Sequence, residues 1–227
     1  MKKYSILLFV ASLFIIQSAC HSSNKKNKEI EAKVQQEQSP EIVVSQDGFE
    51  RAYFASGCFW CVEAVYESVN GVQESISGYS GGHTDNPTYE LSNTGLTGHA
   101  EAVEIIYDPS IISFSQLVDV YFGSQNVAQV NGQGPDNGSQ YRSIIFYQNK
   151  EQKKIIKEKV KTLESKYGKG KVAAQILPFQ KFWLAEDYHQ DYEKLHPNHP
   201  YIQRISIPRL NRFKNKFPEL LKENLEH

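Results

Sequence analysis

Apolar and polar positions alternate along Arg51–Ser56 (RAYFAS), and the run ends at a glycine, which predicts a strand. Cys61, Ala64, Val65 and Ser68 recur at helical spacing, so a helix is expected from Phe59 to Ser68. Asn70-Gly71 marks a turn. Val72–Ser80 reads as a second strand, and Gly81-Gly82 opens a polar loop through Gly98. Ala102–Tyr107 is a third strand, with Val103, Ile105 and Tyr107 on one side. Ser113 stands where a helix to Phe122 needs its cap. A loop rich in Gly, Asn and Gln runs from Gly123 to Gln140 and leads to a strand over Tyr141–Tyr147. The clearest helix is Lys150–Tyr167, with Ile155, Ile156, Val160 and Leu163 on its inner face. Val172–Leu177 reads as a strand and Leu184–Leu195 as a helix.

The order β-α-β-β-α-β predicts an α+β fold. The expectation is a two-layer α/β sandwich with a ferredoxin-like, split βαβ core, long loops and extra helices. Two long loops inside one domain point to function there.

The N-terminus has a different pattern. Met1-Lys2-Lys3 is basic, Ser5–Ile16 is an apolar run, and Gln17-Ser18-Ala19-Cys20 follows, which reads as a secretory signal. The apolar run is short for a membrane span. Small residues before Cys20 resemble a bacterial lipobox, with Gln17 where Leu is usual. The expectation is a lipoprotein signal over residues 1–19 with Cys20 as the lipidated residue; a secreted protein with a free Cys20 is the alternative. Residues 20–48 are polar and poor in large apolar side chains, so they are expected to form a flexible tether. A short helix over Lys28–Gln38 is the other reading. A catalytic domain is expected over 49–200, with 201–227 as a C-terminal extension packed on it. The protein is then exported and held by a lipid anchor alone, facing the periplasm or the cell exterior. The expected state is a monomer.

The chain has 227 residues, enough for one well-formed core and too few for two large ones. A net charge of −1 gives no basic excess for nucleic acid, so no nucleic-acid partner is expected. Three cysteines, Cys20, Cys58 and Cys61, are too few for a disulfide framework.

Cys58 falls at the predicted strand-to-helix turn, after Gly57, which allows a sharp bend. A helix start favours an anion, so Cys58 is expected to have a lowered pKa and a reactive thiolate. Cys61 lies three residues on. In a helix that spacing puts Cα atoms about 5 Å apart, within disulfide range. One reactive and one resolving cysteine suffice for a redox cycle. A half zinc site is the bland alternative, but no second C-x-x-C exists, nothing fixes the possible ligands His189, His196 and His199 near Cys58, and no metal is expected. A thioredoxin-like disulfide exchanger is the serious rival, and a binding module that has lost activity is a third reading. Phe59 and Trp60 argue against the exchanger: bulky rings beside the sulfur suit a small apolar group such as a methyl.

At these residues the sequence resembles the A-type peptide methionine sulfoxide reductases. Gly57-Cys58-Phe59-Trp60 looks like their nucleophile motif. Gly78–Thr84, Asn86–Tyr89, Gly98-His99-Ala100-Glu101 and Gly134-Pro135-Asp136 through Gln140-Tyr141-Arg142-Ser143 follow in the family's order. The resemblance runs from Ala52 to Leu195. It implies that Cys58 attacks the sulfoxide sulfur and that Glu101 protonates the departing oxygen. It implies that Tyr79 and Tyr141 hydrogen-bond that oxygen, that Asp136 orients the polar cluster, and that Phe59 and Trp60 hold the methyl. The substrate would be the S epimer of methionine sulfoxide, free or in oxidised proteins. The cycle would need no cofactor, only an external, thioredoxin-like thiol reductant, with Cys61 resolving the Cys58 sulfenic acid. The chain departs from the family at Gln125-Asn126-Val127-Ala128-Gln129, where His-Asp-Pro-Thr-Gln is usual, and at Gly132, where Arg is common.

Overall fold

The computed structural model describes residues 38–223. The expected signal, Cys20 and most of the expected tether lie outside the described residues. The tether was expected to reach residue 48, yet Glu41 N–H donates to Phe179 O at 2.7 Å and Val43 N–H to Gln148 Oε1 at 2.8 Å. Val43 also packs beside Tyr53 and Phe179. Residues 41–43 are therefore tied to the domain rather than free.

Among the described residues eight strands form: β1 Glu50–Ala55, β2 Val72–Ser80, β3 Ala100–Tyr107, β4 Gly132–Gln133, β5 Asp136–Asn137, β6 Ile144–Tyr147, β7 Gln175–Pro178 and β8 Phe182–Leu184. Six make one sheet in the order β7-β6-β1-β3-β2-β8, while β4 and β5 pair separately. β6 and β7 run parallel and the other neighbours antiparallel. The helices are α1 Phe59–Glu67, α2 Tyr89–Asn93, α3 Phe114–Gly123, α4 Lys150–Tyr167, α5 Tyr192–Leu195 and α6 Ile207–Lys216.

Strand alternation sorts side chains between two faces. Ala52 and Phe54, Val103, Ile105 and Tyr107, and Ile145 and Tyr147 pack with the helices; α1 adds Val62 and Val65, α3 Leu117 and Tyr121, α4 Ile156, and α6 Leu210 and Phe213. Tyr53, Ala55, Ala100, Ala102, Ile144 and Phe146 face the other way, under Leu177, Phe179 and Phe182. Phe179 stacks on Tyr53 with ring centres 3.7 Å apart. Ser113 closes a capping box with Gln116 at the start of α3, as the sequence predicts.

Four expectations need correction. The strand expected from Tyr141 begins at Ile144, because Ser139–Tyr141 is a 3₁₀ turn. The Arg142 guanidinium fastens that turn by donating to Ser139 O, Gly81 O and Gly98 O. The strand expected over Val172–Leu177 is shifted to Gln175–Pro178, since Ala173 N–H bonds Val127 O outside the sheet. The helix expected over Leu184–Leu195 does not form. Phe182–Leu184 pairs with β2 instead, Asp187–His189 is a 3₁₀ turn, and only Tyr192–Leu195 is helical. The Gln190 side chain accepts from Ser77 N–H and donates to Ser77 O, so an amide side chain continues the β2 edge pairing where a helix was expected. Finally, the loop 81–98 contains α2, capped by Thr88 and too short to show periodicity.

Candidate active site

The site is built on the turn between β1 and α1. Gly57 takes φ +75°, and a Cβ there would lie 2.6 Å from Gln133 Cβ, so both the backbone and the space demand glycine. Several side chains hold this turn. Tyr121 hydroxyl donates to Ala55 O at 3.0 Å. Arg209, from α6, donates to Ser56 O at 2.9 Å and to Ser56 Oγ at 3.0 Å.

Cys58 is the N-cap residue of α1, with Cys61 one turn on; both are free thiols and both are buried. The Cys58 side chain makes no capping bond. The first free N–H of the helix, that of Phe59, donates to Glu101 Oε2 at 3.0 Å instead. The expected lowering of the Cys58 pKa is therefore not met in the resting dithiol. Burial, the proton it shares with Cys61 and the nearby Glu101 charge hold the Cys58 thiol well up. Cys61 accepts that hydrogen bond, which brings it down to about 7, with Arg209, Ser206 and Tyr201 adding to the effect against burial.

Glu101 comes from β3 and is 2% exposed. Burial pushes its carboxyl up to about 8, against the Phe59 N–H bond that favours the carboxylate, with the Asp136 and Cys61 charges adding a further rise. It is therefore mostly protonated at neutral pH. Its other oxygen has no hydrogen-bond partner among the described residues. Tyr141, half-buried, likewise has an unengaged hydroxyl; burial raises its pKa first, then the Glu101, Tyr89 and Cys58 charges that reach it. It stays a neutral donor.

Tyr79 differs from expectation. Its ring is fully buried, 5.8 Å from that of Phe59, and its hydroxyl already donates to Glu186 Oε2 at 2.9 Å. Glu186 Oε1 also accepts from Tyr89 N–H at 2.9 Å. Tyr79 thus anchors the wall through Glu186 rather than presenting a free donor. Asp136 Oδ2 accepts from Tyr201 hydroxyl at 2.6 Å, and the same hydroxyl lies 3.6 Å from Cys61 Sγ.

The apolar wall is aromatic. Phe59 stacks near Tyr89 at 6.3 Å and tilts against His189 at 4.9 Å. Trp60 stacks on Tyr192 at 3.8 Å. Trp60 Nε1–H donates to His189 Nδ1 at 3.2 Å, which assigns the remaining imidazole proton to Nε2, facing Glu186 at 3.8 Å. Burial lowers the His189 pKa and keeps it neutral.

The structure brings Cys58, Cys61, Glu101, Tyr79, Tyr141, Asp136, Phe59 and Trp60 together from segments spread over 84 positions of sequence. Sequence reasoning missed Glu186, Tyr192, Tyr201 and Arg209, and gave no place in the aromatic wall to Tyr89, which stood in a family motif, or to His189, which was weighed only as a metal ligand. The run Leu184–Gln190 could have drawn notice for its unusual density of Glu, Asp, Tyr and His. Tyr201 and Arg209 left no such signal. As to metals, Glu63, Glu67 and Asp191 bring carboxylate oxygens within 4.8 Å of one another. Glu63 there already accepts from Ser77 Oγ and Asp191 N–H, and Lys194 lies 3.8 Å from Asp191.

The model of the family described as peptide methionine sulfoxide reductase matches residues 50–221. The chain is 47% identical over 170 residues to peptide methionine sulfoxide reductase MsrA of Sulfolobus acidocaldarius, covering 75% of this chain and 96% of that one. It is 43% identical over 173 residues to MsrA of Pasteurella multocida, covering 76% and 99%. Methionine sulfoxide reductase A of Corynebacterium diphtheriae superposes with a TM-score of 0.61 at 30% identity, over 71% of this chain and 84% of that one. Mxr1 of Saccharomyces cerevisiae in reduced form gives the same TM-score and identity, over 71% and 93%. With its cysteine, buried acid and aromatic wall carried on that fold, this chain belongs to the peptide methionine sulfoxide reductase family.

Proposed function

We infer that Cys58 is the nucleophile of a thiol-dependent reduction of methionine S-sulfoxide, and that Glu101 is the acid. One observation carries this: a buried carboxyl, protonated at neutral pH, is tied to the backbone N–H next to the nucleophile. A sulfoxide oxygen leaves poorly until protonated, and a placed acid contributes about 10²–10⁴ in rate. Cys58 sulfur attacks the sulfoxide sulfur as Glu101 and Tyr141 donate to the oxygen. The Cys58 thiol proton can pass to Cys61, with which it is shared. The oxygen ends on Cys58 as a sulfenic acid, and methionine leaves. Cys61 then attacks that sulfenic acid, water departs, and a Cys58–Cys61 disulfide forms. Phe59 and Trp60, braced by Tyr89, His189 and Tyr192, take the methyl.

A thioredoxin-like reductant restores the dithiol in this reading, and repair of oxidised proteins is the biological role. The strand order β6-β1-β3-β2, with helices after β1 and β3, supports a split βαβ, ferredoxin-like core. The apolar run before Cys20 supports export and a lipid anchor.

The test is turnover of a methionine sulfoxide peptide with dithiothreitol, resolving the two epimers. Wild type should consume the S epimer only, and Cys58→Ser neither. Cys61→Ser should still release one equivalent of methionine but lose repeated turnover with a thioredoxin system. Undiminished multiple turnover by Cys61→Ser would reject the resolving role. Insulin reduction with no sulfoxide turnover would favour the disulfide exchanger.

A further inference from the structure

A cavity of about 550 Å³ lies between the 123–136 loop and the residues of α6, with Cys61 in its wall. Its wall includes Cys61 but neither Cys58, Glu101, Tyr141 nor the aromatic wall. Its charge is lopsided: Arg204, Arg209, Arg212 and Lys216 line it against a single acid, Asp136, which is already bonded to Tyr201. Arg209 is 8% exposed, and its guanidinium donates only to neutral oxygens, those of Ser124 and Ser56. Its charge is felt by the nearby Asp136 and Cys61 but is hydrogen-bonded to no anion, and an arriving carboxylate would add that direct partner. Arg204 and Arg212 are exposed and have no ion-pair partner among the described residues. Gln125, Asn126 and Gln129 form another part of the wall, at the segment where the chain departs from the family pattern.

We propose that this cavity is a binding site for a small, carboxylate-bearing thiol that reduces the Cys58–Cys61 disulfide by attacking Cys61. The size falls within the usual range of small-molecule sites, about 300–1,000 Å³. The proposal rests on the reading of Cys61 as the resolving cysteine. The thiolate of the incoming molecule bonds to Cys61 Sγ, the one sulfur that lines the cavity, the S–S bond breaks, and Cys58 leaves as a thiolate that at once takes up a proton; access rather than leaving-group acidity selects Cys61. A second thiol then displaces the first from Cys61. Two thiols become one low-molecular-weight disulfide, and both protein cysteines return to thiols. The reductant thus reaches the pair through a cavity that Cys61 lines and Cys58 does not.

The experiment measures sulfoxide turnover driven by mercaptosuccinate (two carboxylates), 2-mercaptoethanol (neutral) or dithiothreitol, at equal thiolate concentrations. A cleft lined by one sign of charge raises counter-ion association by about 10–10³-fold, so mercaptosuccinate should gain about ten-fold in kcat/KM over 2-mercaptoethanol at low salt. The gain should vanish at about 1 M salt, where the screening length is about 3 Å. In the double variant Arg204→Gln/Arg212→Gln the mercaptosuccinate-to-dithiothreitol ratio of kcat/KM should fall by most of that factor. Peptide mapping of the quenched reaction should place the mixed disulfide on Cys61. Dithiothreitol turnover with no charge preference, an unchanged ratio in the double variant, or a mixed disulfide on Cys58 would each overturn the cavity's role while sparing the resolving reading. Failure of dithiothreitol itself would overturn both.

Discussion

Glu101→Gln separates what the buried acid does for catalysis from what it costs the fold. The side chain is 2% exposed, and its carboxyl is raised from 4.5 to about 8, chiefly by burial. Between those values the folded chain holds a proton that the unfolded chain has lost. Stability from this group is therefore fully present below pH 4.5 and is lost progressively as pH rises toward 8. At pH 7 the difference is 2.5 pH units above 4.5, or about 3 kcal/mol at 1.36 kcal/mol per unit. Glutamine does not titrate, and its carbonyl can still accept from Phe59 N–H. The variant should therefore match wild type at pH 4 and exceed it by up to about 3 kcal/mol at pH 7. Urea unfolding across this range reads the difference directly, and the other buried carboxyls cancel because both proteins carry them. Activity should move the opposite way, falling about 10²–10⁴-fold with loss of the acid. In wild type kcat/KM should also decline above pH 8, as Glu101 ionises. A variant within ten-fold of wild type, or a stability difference that does not grow with pH, would refute the assignment of a protonated buried acid.

Two further outcomes follow from the same geometry. Gly57→Ala places a Cβ 2.6 Å from Gln133 Cβ at φ +75°. It should cost about 2 kcal/mol or more and lower Tm by about 4–8 °C in a thermal melt, with a slower Cys58 reaction toward sulfoxide. Tyr201→Phe removes the 2.6 Å bond to Asp136. Leaving a charged acceptor short of its donor costs about 1.5–3 kcal/mol, so kcat/KM should fall by about ten-fold or more in steady-state assays; an unchanged value would show that the Asp136–Tyr201 pair is not part of the reacting cluster.

The local rules were legible in the chain. Val72–Ser80 and Lys150–Tyr167 form over the residues their periodicity marks, and Ser113 caps as its type and spacing require. Gly57 next to Cys58 announced a bend that only glycine tolerates, and the bend is there at φ +75°. Each of these depends on neighbours within a few positions, so the information lies in a short window of sequence.

The rest depended on which distant groups share a space. The helix expected over 184–195 shrinks to Tyr192–Leu195 because Phe182–Leu184 pairs with β2 and Gln190 continues that pairing, a competition no local window contains. Tyr79 has the residue type of an oxyanion donor, but Glu186, 107 positions away, takes its hydroxyl. The helix start alone argued for a lowered Cys58 pKa; the fold gives that N–H to Glu101 and encloses the sulfur, and burial pushes the Cys58 thiol up. Burial and charge are sums over the whole surroundings of a group, and those surroundings exist only once the chain has folded. The sequence by itself therefore determined the turn and the cysteine spacing, and Glu101 drew notice only through the family resemblance. Tertiary structure alone decided which of these groups hold protons, which hydroxyls are free to give one, and that Cys61 lines a cationic cavity.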